Sequence, residues 1–332
     1  MNHRPQRAHG RRRLLAAFAL PALLRPGRAV AQGWPDRPVR IVVPFAPGGN
    51  TDGLARLSAE LLTRRLGGVF TVDNRPGGGG MIANEAVARA APDGTTLMMG
   101  AVPNIAIAPA AIAQRTPLDP LKAFVPISMV GTNPFVLMVN AAVPARSVVE
   151  FIAAMRVADG AMPYASGGMA SLQHLTMLLF MQRAGIAGIH VPYRGGAPAM
   201  TDLIAGAVPS LFANISEALA QRDNSAVRLL AVTAPARAPQ LPDLPTVAEA
   251  ALPAFETITW NGLLGPAGLP DAIARRIAEA LASFRGDAAV QQRFAQLGTD
   301  FQAGTPEEFG ARLRQDVATW GEVIRRSGVR ID

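Results

Sequence analysis

The chain has 332 residues, of which 49% are hydrophobic and 17% are charged. This length fits about two domains of ordinary size, and the hydrophobic content excludes a chain that is disordered throughout. Because the chain has no cysteine, disulfides, thiolate metal sites, iron–sulfur clusters and a cysteine nucleophile are excluded.

The formal net charge of +8 first suggests a nucleic-acid-binding protein, but the charge is unevenly distributed. Residues 1–31 contain seven arginines and no acidic residue. Subtracting those seven from the 32 basic residues of the chain leaves 25, against 24 acidic residues. The remainder is therefore nearly neutral and lacks the excess positive charge that a phosphate backbone requires, so we expect no nucleic-acid partner.

The first 31 residues have the organisation of a secretory signal peptide. Three arginines at 11–13 precede an apolar run at 14–24, and small residues at 29–31 form a cleavage site. The 11-residue run is too short to cross a bilayer, which needs ~20 residues. We expect cleavage after Ala31 and export of the mature protein. The arginines also resemble a twin-arginine signal, so the export route stays open. The alternatives are a short buried helix and an N-terminal membrane anchor.

Strands and helices alternate in the segment that follows. Apolar, β-prone residues predict strands at 39–45, 70–72 and 95–99. Helical spacing of apolar residues predicts helices that include residues 54–61 and 81–91. This βαβαβ order predicts a parallel sheet with right-handed crossovers.

A second α/β unit is predicted to begin near residue 137, and the chain ends in amphipathic helices. Its strands are predicted at residues 135–139, 162–165, 189–193, 211–213 and 229–233, with helices at 147–157, 171–183 and 197–203. In the last third, Thr305 and Glu308 form a capping box, and Gly328 can end the helix that follows. Two such units predict a bilobed α/β protein with a cleft between the lobes.

Three Gly-rich loops follow predicted strands, at residues 47–52, 166–171 and 194–197. Ligands of open parallel sheets bind beyond the carboxyl ends of the strands, where these loops lie. Glycine lets the backbone approach a ligand, and the free amides of a helix start favour an anion. The alternative is a set of tight turns without a ligand. Asp52 lies in a first helical turn, so we expect a structural role there rather than a general base.

The signatures of catalysis are weak. Ser171 and His174 are three residues apart on one predicted helix, which does not supply the usual nucleophile–base geometry. The glycines at 77–80 lack the Gly-Lys-Ser/Thr ending of a phosphate loop, and no cluster of His, Asp and Glu suits a metal. His190 is predicted to be a core residue. We therefore expect no enzymatic activity, no cofactor and no metal site.

A series of sequence blocks occurs in a specific order along the chain. The blocks are residues 40–52 (RIVVPFAPGGNTD), 73–77 (DNRPG), 91–97 (APDGTTL), 190–195 (HVPYRG), 244–250 (LPTVAEA) and 260–268 (WNGLLGPAG). Together they resemble the Bug-type (TctC-like) solute-binding proteins of tripartite tricarboxylate transporters. Each block alone is a modest signal, but the ordered combination is specific and covers essentially the whole chain after residue 31.

The resemblance implies a periplasmic-binding-protein fold of the type II-like class, in which two α/β lobes are joined by crossing segments and close over a solute. We expect lobe 1 at residues 32–132 and 256–332, and lobe 2 at residues 133–255. Ligands of the family are commonly carboxylates. One carboxylate is typically held by backbone amides and hydroxyls of two facing loops, with ordered water bridging.

By position, the resemblance implies that two groups of residues contact the ligand. The first arm comprises Phe45, Gly49, Asn50, Thr51 and Asp52, and the second arm comprises Ser166, Gly167, Ser171, Gly195, Gly196 and Ala197. Asn104 and Asn214 are further candidates. Phe45 and Trp260 are candidates for the apolar part of the solute, although Trp260 could equally seal the hinge. Arg194 could meet a carboxylate or be exposed to solvent.

The implied function is capture of a small carboxylate and its delivery to the membrane permease subunits of a tripartite transporter. We expect the protein to be monomeric. The alternatives are a ligand-sensing extracytoplasmic protein for a signalling partner and an exported hydrolase. The chain departs from the family where Ala213 and Pro209 replace acids that are common there. The missing acid at 213 favours a plain mono- or dicarboxylate over an amino acid.

Overall fold

The computed structural model describes residues 1–2, 33–112, 118–193 and 195–330. The predicted signal peptide therefore lies almost entirely outside the described residues, and so does Arg194. Within these described ranges, no helix combines the length and the apolar character that crossing a bilayer would need.

Ten strands form one curled sheet. They are β1 Val39–Val43, β2 Phe70–Asn74, β3 Thr96–Ala101, β4 Phe124–Asn140, β5 Pro163–Ser166, β6 Ile189–Pro192, β7 Ser210–Asn214, β8 Val227–Val232, β9 Ile258–Pro266 and β10 Asp300–Phe301. The order across the sheet is β2-β1-β3-β9-β4-β7-β5-β6, and β8 and β10 both pair with β4 off this path.

Helices cover the sheet. They are α1 Asn50–Leu66, α2 Met81–Ala88, α3 Ala108–Ala111, α4 Pro120–Ala123, α5 Val148–Val157, α6 Leu172–Ala184, α7 Gly196–Ala205, α8 Ile215–Leu219, α9 Val247–Ala250, α10 Asp271–Ala282, α11 Ala288–Gln296 and α12 Pro306–Ser327. A 3-10 turn occupies Gly78–Gly80 and a π-helical turn occupies Pro103–Ile107. The capping box of Thr305 and Glu308 at the start of α12 is confirmed, and Gly328 ends that helix in the left-handed conformation.

The predicted βαβαβ unit is confirmed in its parallel pairings. Strand β1 lies between β2 and β3, so that Ile41 is level with Val72 on one side and Leu97 on the other. Ile41 and Leu97 are fully buried, as the continuous apolar runs of these strands require. Outside this unit the sheet is mixed, because β9 pairs antiparallel with both β3 and β4.

Strand β4 joins the two halves of the sheet and is much longer than the predicted strand at residues 135–139. Up to Pro134 it pairs with β9, and from Phe135 onwards it pairs with β7. A single strand therefore passes from one α/β unit into the other. Its early part carries prolines and small polar residues, which masked the strand in the sequence pattern.

Trp260 on β9 is fully buried and packs edge-on against Phe309 of α12. Its indole N–H donates to Asp316, 2.6 Å away, and Asp316 also accepts from Arg312 at 2.8 Å. Burial raises the pKa of Asp316, while its bonds to Arg312 and Trp260 oppose that rise. Of the two interpretations of Trp260, the structure favours the one in which it seals the crossing segment, since its buried side chain ties β9 to α12.

Candidate functional site

The two arms are brought into one region by the turn at residues 297–299. The side-chain amide of Asn50 donates to the carbonyl of Leu297 at 2.7 Å and to the hydroxyl of Thr299 at 3.1 Å. On the other side, a Cβ placed on Gly298 would lie 2.9 Å from Cβ of Ser216 in α8. The turn therefore links the first arm to α8, which itself packs against the second arm.

The first arm is held by a network of neutral amides and hydroxyls. Thr51 Oγ1 donates to Asn261 Oδ1 at 2.8 Å, and Asn261 Nδ2 donates to Asn50 Oδ1 at 3.2 Å. Asn133, on the crossing strand β4, donates to Thr299 at 2.9 Å and also to the carbonyl of Gly298. This network connects the loop after β1 to both crossing strands without using a charged group.

Asp52 closes the base of the first arm. Its carboxylate accepts hydrogen bonds from the Gly48 amide, Arg56 Nε and Asn74 Nδ2, each at 3.0 Å. Burial favours the neutral acid, but these hydrogen bonds together lower the pKa of Asp52 below its usual value. The carboxylate holds the turn of residues 48–52, which is the structural role expected of it, and no proton donor or acceptor role follows from these contacts.

The second arm is built from two strand–helix loops that bond to each other. The Gly195 amide donates to the carbonyl of Gly167 at 3.1 Å, and the Tyr193 amide donates to the carbonyl of Ser166 at 3.0 Å. Gly196 and Ala197 form the first turn of α7, where the amides have no acceptor within the helix. The two loops predicted for this arm therefore lie side by side.

Ser166 and His190 form a contact that sequence reasoning missed. Ser166 Oγ lies 2.7 Å from His190 Nε2, and it also donates to the carbonyl of Gly168 at 3.0 Å. The strand register explains the contact, because Tyr164 of β5 is level with His190 of the parallel strand β6, and Ser166 lies two residues further along. Alternation of side chains places Tyr164 and Ser166 on one face of β5, but only the register of β5 and β6 brings His190 beside them.

The imidazole of His190 continues into a stack of rings beneath the second arm. Its centroid lies 3.6 Å from that of His174, with the planes 6° apart, and 5.2 Å from the ring of Tyr164. His174 Nδ1 accepts the amide proton of Ala170 at 3.2 Å. Burial, followed by the charge of His190, lowers the pKa of His174 to about 4, so that the stack is neutral at pH 7.

The Ser166–His190 contact lacks the features of a catalytic pair. Ser166 is only 1% exposed and its hydroxyl is bonded to backbone atoms of its own loop. Within the described ranges, no carboxylate forms a hydrogen bond that would orient His190. These contacts instead fix the loop that begins at Ser166 on the stacked rings.

Three further candidate residues make local contacts of their own. Ser171 is the N-cap of α6 and accepts the amide proton of His174 at 3.3 Å. Asn104 is fully buried, and its side chain bonds to the Ala101 amide and to Asn84 at 2.8 and 2.7 Å. Asn214 is the N-cap of α8. The structure thus makes Ser171 the helix cap of the second arm and places Asn214 next to that arm, whereas the Asn104 side chain is bonded within the loop after β3 and to Asn84.

Glu217 is a functional candidate that the sequence analysis did not include. Its Oε2 accepts the Asn214 amide at 3.0 Å, and its other oxygen lies against Gly196 at the start of α7. Burial raises the pKa of Glu217, and the hydrogen bond from Asn214 only partly opposes that rise. The sequence concealed this residue because a glutamate three positions after an N-cap is an ordinary part of a capping box.

The comparisons with known proteins agree with this architecture. The family model described as the tripartite tricarboxylate transporter family receptor (TctC) matches residues 54–329. The chain belongs to this family. Such receptors are periplasmic solute-binding proteins, and the two-lobed α/β fold with crossing strands that the sequence predicts is confirmed for this member.

Individual relatives place this receptor among the Bug-type proteins. It is 33% identical over 305 residues to protein BugT of Bordetella pertussis, covering 91% of this chain and 92% of that one. The structure of R. palustris Rpa4515 with adipate is similar, with a TM-score of 0.74, 33% identity, and 90% and 99% of the two chains covered. MatC (Rpa3494) from Rhodopseudomonas palustris with bound malate gives a TM-score of 0.70, 29% identity, and 88% and 100% coverage.

Proposed function

We propose that this receptor binds a small carboxylate between the first and second arms, closes over it, and delivers it to permease subunits in the membrane. The observation that carries the proposal is the placement of two helix starts, those of α1 and α7, on either side of α8 and the turn at residues 297–299. Helix starts present unbonded amides and a favourable dipole to an anion.

The relatives support a carboxylate as the ligand. The two similar structures are described with adipate and with malate, which are both dicarboxylates. In this chain the first arm offers amides and hydroxyls without a charged partner for the anion, which suits recognition by hydrogen bonds. No step of bond formation or cleavage is part of the proposal, because the receptor would act by lobe closure alone.

The two lobes are proposed to be residues 32–132 with 256–332, and residues 133–255. The change of partners along β4, from β9 up to Pro134 to β7 from Phe135, supports this boundary. Binding free energy that is larger in the closed form would shift the lobes towards closure.

We further propose cleavage after Ala31, a periplasmic location and a monomeric state, and the mature N-terminus would be Gln32.

A thermal-melt screen of residues 32–332 tests this function. The compounds are mono-, di- and tricarboxylates, including adipate and malate, together with amino acids and sugars. A ligand at 100 times its dissociation constant stabilises the folded state by about 2.7 kcal/mol. We expect one class of carboxylate to raise the melting temperature by several degrees, and sugars to leave it unchanged. A folded, ligand-free sample that responds to no carboxylate would contradict the proposal.

The double variant Thr51→Ala, Ser166→Ala tests the location of the site. We expect it to weaken binding of the carboxylate found in the screen by about tenfold, since the two hydroxyls hold the loops of the arms in place through their bonds to Asn261 and to the Gly168 carbonyl. The matched control is Thr71→Ala, Ser283→Ala, which removes two hydroxyls that bond backbone carbonyls outside the arms. Equal affinities for the two double variants, measured by calorimetry, would place the ligand elsewhere.

A further inference from the structure

Glu217 places a carboxylate against the first turn of the second arm. A Cβ built on Gly196 would lie 2.2 Å from Glu217 Oε1 and 2.9 Å from its Cδ, so a larger residue at 196 would displace the Glu217 carboxylate. The other oxygen is fixed by the Asn214 amide at 3.0 Å. The Glu217 carboxylate is therefore held beside the start of α7, next to the place proposed for the ligand carboxylate.

The same residue lies between the two arms. Its neighbour Ser216 contacts the turn at Gly298, and the adjoining Leu297 accepts the Asn50 side chain of the first arm. Helix α8 thus connects the turn that holds the first arm with the glycine that begins the second. A solute that contacts both arms would pass close to the Glu217 carboxylate.

A comparison with Glu249 isolates what is unusual about Glu217. Both residues occupy the third position of a capping box, after Thr246 in one case and Asn214 in the other. Glu249 forms an ion pair with Arg237 at 3.0 Å, and hydrogen bonds from Thr246 and Arg237 lower its pKa. Among the described residues, Glu217 has no ion pair. A carboxylate that is partly removed from water and has no cation is unfavourable unless a partner arrives from elsewhere.

We propose that Glu217 selects ligands that carry a hydrogen-bond donor, an ammonium or a hydroxyl group, beside the carboxylate that the arms bind. The inference rests on the proposed function and names the class of its ligand. The absence of an acid at Ala213 favoured a plain carboxylate, but Glu217 returns an acid to the same arm from the next helix. A donor would satisfy its free oxygen, whereas a second ligand carboxylate placed there would meet a like charge.

Two series of acids that differ by one substituent test the proposal. The first is succinate, malate and aspartate, and the second is propionate, lactate and alanine, titrated calorimetrically at pH 7.5 into residues 32–332. In at least one series we expect the hydroxy or amino acid to bind about tenfold more tightly than the unsubstituted acid. A preference for aspartate or alanine would identify an ammonium donor, and a preference for malate or lactate would identify a hydroxyl donor.

The variant Glu217→Gln should reduce that preference to within about threefold, because the amide has no charge to pair with the donor. Glu249→Gln is the matched control, since it changes the same position of a capping box outside the arms and should keep the preference. Melting of the unliganded variants within a few degrees of each other shows that both are folded.

The outcomes separate the inference from the proposed function. If the acids bind but Glu217→Gln keeps the wild-type preference, or if the unsubstituted acids bind as tightly as the substituted ones, Glu217 does not select the donor and the inference fails. If neither the six acids nor any carboxylate of the melt screen binds, the proposed function fails and the inference fails with it.

Discussion

The two arms have the same local design, a glycine-rich loop between a strand and a helix, but they are supported in different ways. Neutral amides and hydroxyls of Asn50, Asn133, Asn261 and Thr299 hold the first arm. The second arm rests on stacked imidazole and phenol rings and lies against an acid that has no ion pair among the described residues. If the arms bind the ligand as proposed, we expect the first arm to position it and the second to discriminate between ligands.

This difference has consequences for pH dependence. The amides and hydroxyls of the first-arm network do not titrate in the physiological range. In the second arm, burial lowers the pKa values of both His174 and His190 and raises that of Glu217. We therefore expect changes in pH between 4 and 7 to act on the second arm while the first-arm network stays intact.

The largest expected effect is on the support of the first arm. A Cβ at Gly131 would lie 2.3 Å from Thr299 Cγ2 and 3.1 Å from the backbone oxygen of Asp300. Gly131→Ala should therefore lower the free energy of unfolding by about 3 kcal/mol, since β4 and β10 must separate. Gly321→Ala is the control, because its Cβ would meet no atom within 4 Å and alanine favours the helix. Equal urea midpoints for the two variants would show that the contact at Thr299 is unimportant.

The next largest effect separates the second arm from the first by pH. Because His174 has a folded-state pKa of about 4, the unfolded chain takes up a proton first as the pH falls below the unperturbed value of 6.5. The contribution of neutral His174 to the free energy of unfolding is therefore complete above pH 6.5 and decreases as the pH falls towards 4. At pH 5 the expected loss is about 2 kcal/mol. Urea unfolding at pH 7 and pH 5 measures this loss.

His174→Asn sharpens that test, because asparagine can accept the Ala170 amide proton but does not titrate. The variant should lose clearly less stability than the wild type between pH 7 and pH 5. His190 remains in the variant and, with its own lowered pKa, retains part of the dependence. An unchanged loss would mean that the stacked rings do not determine the acid sensitivity of this region.

The smallest expected effect concerns the charged residue of the first arm. Asp52→Asn should lower the free energy of unfolding by about 1 kcal/mol at pH 7, because charge-assisted bonds from Arg56 and Gly48 are weakened. The pKa of Asp52 is lowered from its usual value of 3.8 in the folded protein. The stabilisation by the Asp52 carboxylate is therefore fully present above pH 3.8 and is lost as the pH falls below that value through the folded-state pKa. Asp223→Asn, at a side chain that is 91% exposed, is the control and should change stability little.

The sequence alone determined much of this protein. Apolar periodicity located the strands at Ile41, Val72 and Leu97, and the capping box at Thr305 located the start of α12, because such patterns depend on residues two to four positions apart. The ordered motifs identified the family, which the family model confirms. The glycine-rich loops were also recognised as neighbours of a cleft, and their contacts with a ligand stay a prediction.

Only the tertiary structure decided which side chains meet. The register of β5 and β6 brought Ser166 to His190, and the packing of α8 placed Glu217 against Gly196. The burial of Trp260 beside α12 likewise joins positions that are far apart in the chain. Contacts of this kind depend on how strands and helices pack against one another, and no spacing along a single sequence encodes that packing directly.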